Sequence, residues 1–215
     1  MIYVVPTQGP ILTNTYLYAD DETKHAFIID PGFQPGRILA AVKDKGLTVE
    51  RVLITHGHFD HISAARDVAK ALGVPICASE RSRAYFESPV LNLSRDFLPP
   101  DGFTIPAEEV TYLADDATVA LTDGSLSLHL VATPGHTEDG TMYVADGTPH
   151  LAFVGDTIFR ASYGATHFPG GDERTLIQSI RDRILTLPGD TYLLSGHSEP
   201  TTVGEEQGRP WYAGA

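Results

Sequence analysis

A single cysteine, Cys77, serves a chain of 215 residues. That excludes an internal disulfide framework and argues against a cysteine-ligated structural zinc module. The cysteine lies in Pro75-Ile76-Cys77-Ala78, which reads as a buried strand, so it is expected in the core rather than as a nucleophile. Basic residues are also scarce: 15 Lys and Arg face 28 Asp and Glu, a net charge of −13. A nucleic-acid partner is thereby excluded, because phosphate recognition needs clustered cations. Bound divalent metal would offset part of the acidic excess. No apolar run approaches the length of a membrane span, so no membrane partner is expected. Met1-Ile2-Tyr3-Val4-Val5 opens directly as a strand, without a basic or apolar leader. With the lone cysteine, this sets a cytoplasmic location as the default expectation.

Length and a hydrophobic content of 42% suit one compact domain over residues 1–215. Short β-rich runs at Ile2 to Val5, Thr13 to Ala19 and His25 to Ile29 are broken by Gly9-Pro10, Asp20-Asp21 and Pro31-Gly32. Arg37 to Lys45 has helical periodicity, with Ile38, Leu39 and Val42 on one face. A strand over Arg51 to Thr55 precedes a helix from about Ser63 to Leu72, stopped by Gly73 and Pro75. Residues 88–116 read as a loop-rich insertion over one face. Strands return at Val119 to Leu121, Leu126 to Ala132, Thr141 to Ala145 and Leu151 to Val154. Asp172 is the expected N-cap of a last long helix, Glu173 to Leu187, followed by a strand at Thr191 to Ser195 and a polar tail. Strands and a helix in each half suggest sheets packed face to face with helices outside.

Chemistry concentrates in Thr55-His56-Gly57-His58-Phe59-Asp60-His61, straight after the apolar run Val52-Leu53-Ile54. Three imidazoles and a carboxylate within six positions are the donors of zinc and of non-haem iron or manganese. Read as H-x-H-x-D-H, the segment implies a metal centre, and further donors must come from elsewhere. Three segments offer them, each just past an apolar strand: Thr133-Pro134-Gly135-His136-Thr137, Gly155-Asp156-Thr157 and Ser195-Gly196-His197. Glycine lets the backbone turn sharply there and approach a site closely. His25, His129 and His150 lack this setting and read as surface or hydrogen-bonded residues.

The combination resembles the metallo-β-lactamase-fold superfamily over nearly the whole chain. Within it, Gly155-Asp156-Thr157-Ile158-Phe159-Arg160, Phe168-Pro169-Gly170-Gly171-Asp172 and Thr201-Thr202-Val203-Gly204-Glu205-Glu206 are similar to short, single-domain glyoxalase II-like hydrolases. The resemblance implies an α/β (α+β) chain folded as a four-layer αββα sandwich. It also implies a metal held by His56, His58 and His136, a second held by Asp60, His61 and His197, and Asp156 bridging the two. Two divalent ions are therefore expected, zinc first, with iron or manganese suiting the same N/O donors. An aspartate bridge at position 156 argues against a true β-lactamase.

The activity so implied is a metal-dependent thioesterase resembling hydroxyacylglutathione hydrolase. Hydroxide shared by two metals would attack a thioester or lactone carbonyl of a small-molecule substrate. Asp60 is the candidate to orient the water and handle its proton. Ala165 and His167 are the candidate substrate-binding positions, and they depart from the pattern: glyoxalase-type sequences usually carry a base at 165 and tyrosine or aspartate at 167. Gly196-His197-Ser198-Glu199-Pro200 likewise replaces the more usual Gly-His-Gly-Pro. No counterpart of the larger enzymes' helical C-terminal domain is expected within the 215 residues, which leaves the thiol carrier unassigned. The alternative in the same superfamily is a mononuclear iron persulfide dioxygenase using His56, His136 and Asp156. Phe168-Pro169-Gly170-Gly171 favours the hydrolase. Oligomeric state is not assigned by the sequence.

Overall fold

The computed structural model describes residues 1–212. Strands β1 (Ile2–Gln8), β2 (Leu12–Ala19) and β3 (His25–Ile29) form an antiparallel meander. Helix α1 (Pro35–Asp44) begins with proline, whose missing N–H costs nothing in a first turn. It carries the chain across to β4 (Thr48–Leu53), which lies parallel to β3 and so requires a crossover. The short helix α2 (Phe59–Ile62) and α3 (Ala65–Leu72) form the next crossover, to β5 (Ile76–Ser79), parallel to β4. Two single-turn helices, α4 (Arg83–Phe86) and α5 (Ser94–Phe97), lead to β6 (Val110–Leu113), parallel to β5.

The second sheet starts with the antiparallel strands β7 (Thr118–Ala120), β8 (Ser127–Ala132), β9 (Thr141–Ala145) and β10 (Leu151–Gly155). A small hairpin, β11 (Ile158–Phe159) with β12 (Ser162–Tyr163), precedes α6 (Glu173–Ser179). Strand β13 (Tyr192–Ser195) returns parallel to β10; β14 (Thr201–Thr202) and α7 (Val203–Gln207) follow. The sheet orders are β1-β2-β3-β4-β5-β6 and β14-β13-β10-β9-β8-β7.

Period-two alternation sorts the strand residues into layers. On β2, Leu17 and Ala19 join a cluster with Ile38, Val42, Val68 and Ala69 of the helices on that side. Their neighbours Tyr16 and Tyr18 turn the other way, with Phe27 and Ile29 of β3, to meet Leu128, Leu130, Tyr143 and Phe153 of the second sheet. Phe153 sits between Tyr16 and Tyr18, with ring centroids at 5.4 and 5.5 Å. Ala152 and Val154 on the opposite face of β10 pack against Leu176, Ile177, Ile180 and Ile184. Three apolar layers between four structural layers make this an αββα sandwich, as the resemblance implied.

Two segments differ from their sequence reading. Within 88–116, α5 and β6 are ordered elements, and β6 completes the first sheet by pairing with β5. It has four residues, none of them fully buried, too short a run for a period to reveal it. The last long helix is α-helical only to Ser179; one π-helical turn, Ile180–Ile184, follows and keeps both isoleucines buried. Asp172 does cap α6, its side chain accepting the Thr175 N–H at 2.7 Å. Cys77 is buried, and burial pushes its thiol up to about 11. Among the described residues no helix is long and apolar enough to cross a membrane.

Candidate metal centre

Strands β4, β8, β10 and β13 all end at one edge of the sandwich, and each is followed by a donor-bearing turn. After β4 the chain runs through His56, Gly57 and His58 into α2, whose single turn carries Asp60 and His61. Gly155 closes β10 with φ 51, and a Cβ there would lie 2.4 Å from Thr55 Oγ1. Only glycine therefore lets the two strand ends approach closely enough to deliver Asp156 beside His56. Beyond β13, a Cβ on Gly196 would meet Asp156 Oδ1 at 2.4 Å and the His61 ring at 2.5 Å. The seven candidate donors fall into three compact sets: His56, His58 and His136; His56, His61 and Asp156; Asp60, His61 and His197. Within each set the donor atoms lie within 4.8 Å of one another.

Hydrogen bonds on the far side of four rings fix which nitrogen faces the cleft. His136 Nδ1 lies 2.6 Å from the Ala165 carbonyl and His197 Nδ1 2.8 Å from the Leu12 carbonyl. A carbonyl only accepts, so both Nδ1 atoms carry a proton and both Nε2 atoms point inward. His61 Nδ1 donates to Asp30 Oδ2 at 2.9 Å. Thr55 Oγ1 gives its proton to Asp30 Oδ2 at 2.6 Å and so accepts from His56 Nδ1 at 3.2 Å. Nε2 of His56 and His61 and Asp156 Oδ1 are buried without a hydrogen-bond partner. Inward-facing Nε2 atoms, each ring braced by an acceptor behind it, suit a divalent cation.

Asp156 reaches both ends of the cluster. Its Oδ2 lies 3.1 Å from His197 Nε2 and 3.7 Å from His136 Nε2, and its Oδ1 lies 3.4 Å from His61 Nε2. Asp60 Oδ2 lies 3.1 Å from His197 Nε2 and accepts the Thr13 hydroxyl at 3.1 Å. Burial pushes both carboxyls up, but His61 and His197 outweigh it and hold both below the usual carboxylate range. The rings divide accordingly. Burial holds His56, His58 and His136 low, His58 at about 3. For His61 and His197 the carboxylates override burial and raise the rings, His197 to about 10. The cluster thus has a neutral three-imidazole end and a carboxylate-rich end.

The remaining sequence candidates take different places. Ala165 comes to the site through its backbone carbonyl on His136, independent of its side chain. His167 is exposed and stacks on Phe168 at 4.1 Å, and Phe168 lies edge-on to His58 at 5.9 Å. Phe159 flanks His197 at the other end, at 5.9 Å. His25, His129 and His150 pair with Glu50, Asp146 and Asp190, away from the cluster. Sequence reading missed Asp30 and Thr13. Asp30 had a signal: it follows the apolar run Phe27-Ile28-Ile29, as Asp156 follows its own strand. Thr13 had none, because its role depends on β2 passing beside α2.

A family model of the metallo-beta-lactamase superfamily matches residues 8–197. The chain belongs to the metallo-beta-lactamase superfamily. Among relatives, the hydroxyacylglutathione hydrolase GloC of Haemophilus influenzae is 35% identical over 195 residues, covering 90% of this chain and 89% of the relative. The B3 metallo-beta-lactamase BLEG-1 superposes with a TM-score of 0.90 at 33% identity, over 100% of both chains. The protein TTHA1623, solved in a di-iron-bound form, gives a TM-score of 0.80 at 31% identity, over 97% of this chain and 100% of that one. Membership in this metallo-beta-lactamase superfamily and the clustered His and Asp donors make the chain a metal-dependent hydrolase with a divalent metal as cofactor.

Proposed function

We propose that this protein is a dinuclear-metal thioester hydrolase of the glyoxalase II type, acting on small acyl thioesters such as S-lactoylglutathione, with lactones as the next class. The observation that carries the reading is Asp156, whose Oδ1 lies 3.4 Å from His61 Nε2 and whose Oδ2 lies 3.1 Å from His197 Nε2 and 3.7 Å from His136 Nε2, so that one carboxylate reaches members of both donor sets. In this reading His56, His58 and His136 would hold one ion and Asp60, His61 and His197 the other, with Asp156 available to both. Zinc is the first candidate. Iron is tested beside it because the similar TTHA1623 was solved with two irons. The likeness to GloC is the support for a thioester substrate. A cytoplasmic location belongs to the same reading.

Bound divalent ions supply Lewis acidity toward a carbonyl oxygen and acidify water. The chain's own groups do the rest. Asp60, kept ionised and fixed by Thr13, orients the attacking water and takes its proton. Ala165 and Leu12 hold the rings of His136 and His197 in register through their carbonyls. His167 and Phe168 wall the substrate cleft at the three-imidazole end, and Phe159 walls the other. No thiol nucleophile takes part, since Cys77 is buried between the sheets.

Metal analysis of the purified protein, followed by a panel of acyl thioesters, lactones, β-lactams and glutathione persulfide, tests the proposal. Two metals per chain with thioester turnover and no oxygen consumption are expected. One iron with persulfide-dependent oxygen uptake overturns it, as does β-lactam turnover well above that of thioesters. Asp60→Asn, which keeps the shape and removes the charge, is expected to lower kcat by about 10²–10⁴-fold. Undiminished turnover in that variant removes Asp60 from the mechanism.

A further inference from the structure

Asp139 is a fully buried carboxylate that the proposed chemistry does not use. It sits in the turn between β8 and β9, three residues after His136. No ion pair compensates it among the described residues, and burying such a charge is costly. Its Oδ2 accepts the backbone N–H of Gly57 at 2.9 Å, 82 positions away in sequence. Gly57 is the residue between His56 and His58, and its N–H is buried with it. The other side of Gly57 is closed as well, because a Cβ there would lie 2.4 Å from Tyr85 Cβ and 3.2 Å from Asp139 Oδ2. Tyr85 is tied to the same turn: its hydroxyl accepts the Glu138 N–H at 3.0 Å. The peptide joining two imidazoles is thus clamped by the turn that carries the third.

We propose that Asp139 is a positioning residue: by holding the Gly57 N–H it sets His56 and His58 against His136. The three rings come from two strand ends on different sheets, so nothing local fixes their mutual distance. His58 Nδ1 and His136 Nε2 lie 3.0 Å apart, and the ring centroids of His56 and His136 lie 5.0 Å apart. A shift of the Gly57 peptide would move both His56 and His58 relative to the third donor. A hydrophobic residue at position 139 would fill the same space at lower desolvation cost and leave a buried N–H unpaired. The role rests on the reading of these three histidines as ligands of one metal.

The test uses Co²⁺ alone, titrated into the metal-free full chain and followed by ligand-field absorption. The wild type is expected to take up two ions. In Asp139→Ala, one of the two is expected to bind about 10–100-fold more weakly with an altered spectrum, the range for groups that orient ligands. Asp139→Asn retains an acceptor oxygen and is expected to restore affinity to within about threefold, which loss of general packing would not produce. Should the alanine variant not fold, Asp139→Ser serves as the deletion. Unchanged affinity and spectrum in the deletion overturn the role, and so does equal loss in the asparagine variant. A wild type that binds no Co²⁺ overturns the ligand reading beneath it, so the two failures are distinguishable.

Discussion

Asp139 has a consequence for stability apart from its place beside the candidate metal donors. Burial raises its carboxyl to about 6, although the Ser82 and Thr137 hydroxyls and the Gly57 N–H pull it back. An acid whose folded pKa exceeds its unfolded value of about 3.9 contributes stability below that value, and the contribution is lost as pH rises through about 6. A gap of roughly two units corresponds to a loss on the order of 3 kcal/mol at neutral pH. Asp139→Asn removes the titration. Its stability relative to wild type is therefore expected to rise between pH 4 and pH 6 and to level off above. Urea unfolding of both metal-free proteins across that range checks it, and a difference that does not change with pH contradicts it. Asp30 is the contrasting case. It receives His61 Nδ1, the Thr55 hydroxyl and the Thr55 N–H, so its burial is matched by three donors.

At the scale of elements, the site exists because four strand ends stop at one edge and small residues let them converge. Gly196→Ala would drive a methyl group toward Asp156 Oδ1 and the His61 ring. The expected outcome is loss of metal at the Asp60, His61 and His197 end, with the three-imidazole end retained. Metal stoichiometry falling from two to one shows it; a full complement in the variant contradicts the crowding argument. The sheets are held together mainly by aromatic and aliphatic side chains, and Phe153 is central, wedged between Tyr16 and Tyr18. Phe153→Ala is expected to cost about 3–5 kcal/mol in denaturant unfolding, through lost burial and the cavity left behind. A loss under 1 kcal/mol would mean that the layers close over the gap.

For the whole molecule, metal uptake, protonation and folding are linked. His197 is held at about 10, because Asp156 and Asp60 outweigh the downward pull of burial, and His61 is raised by the same carboxylates. An ion binding at those Nε2 atoms must displace their protons. Affinity at the carboxylate-rich end is therefore expected to rise with pH, by about tenfold per unit for each proton displaced, from pH 6 to 9. The three-imidazole end, whose rings are already neutral, is expected to change little over that interval. Competition with a chromophoric chelator at several pH values separates the two ends, and identical pH slopes would contradict the division. Loading both ends at a thousandfold excess over Kd is expected to stabilise the fold by about 4 kcal/mol per site.

The amino-acid sequence by itself determined which residues are the candidate donors and how the layers stack. H-x-H-x-D-H and the three glycine-flanked donors lie just beyond apolar strands, and strands with a helix in each half pointed to sheets packed face to face with helices outside. Both signals are local, since ligand chemistry belongs to the side chain and the order of strands and helices to short runs of the chain. Strand β6 and the π-helical end of the α6 segment were not legible. The first gains its identity only by pairing with β5, and the second from packing against β10. The tertiary structure alone decided which ring nitrogens face inward, that Asp156 spans both ends, that Asp30 and Thr13 hydrogen-bond candidate donors, and that Asp139 takes the Gly57 N–H between His56 and His58. Those facts rest on hydrogen bonds such as Asp30 to His61, 31 positions apart, and Leu12 to His197, 185 apart. No local pattern encodes a partner that distant: the sequence carries the donors, and the packing of two sheets sets the distances between them.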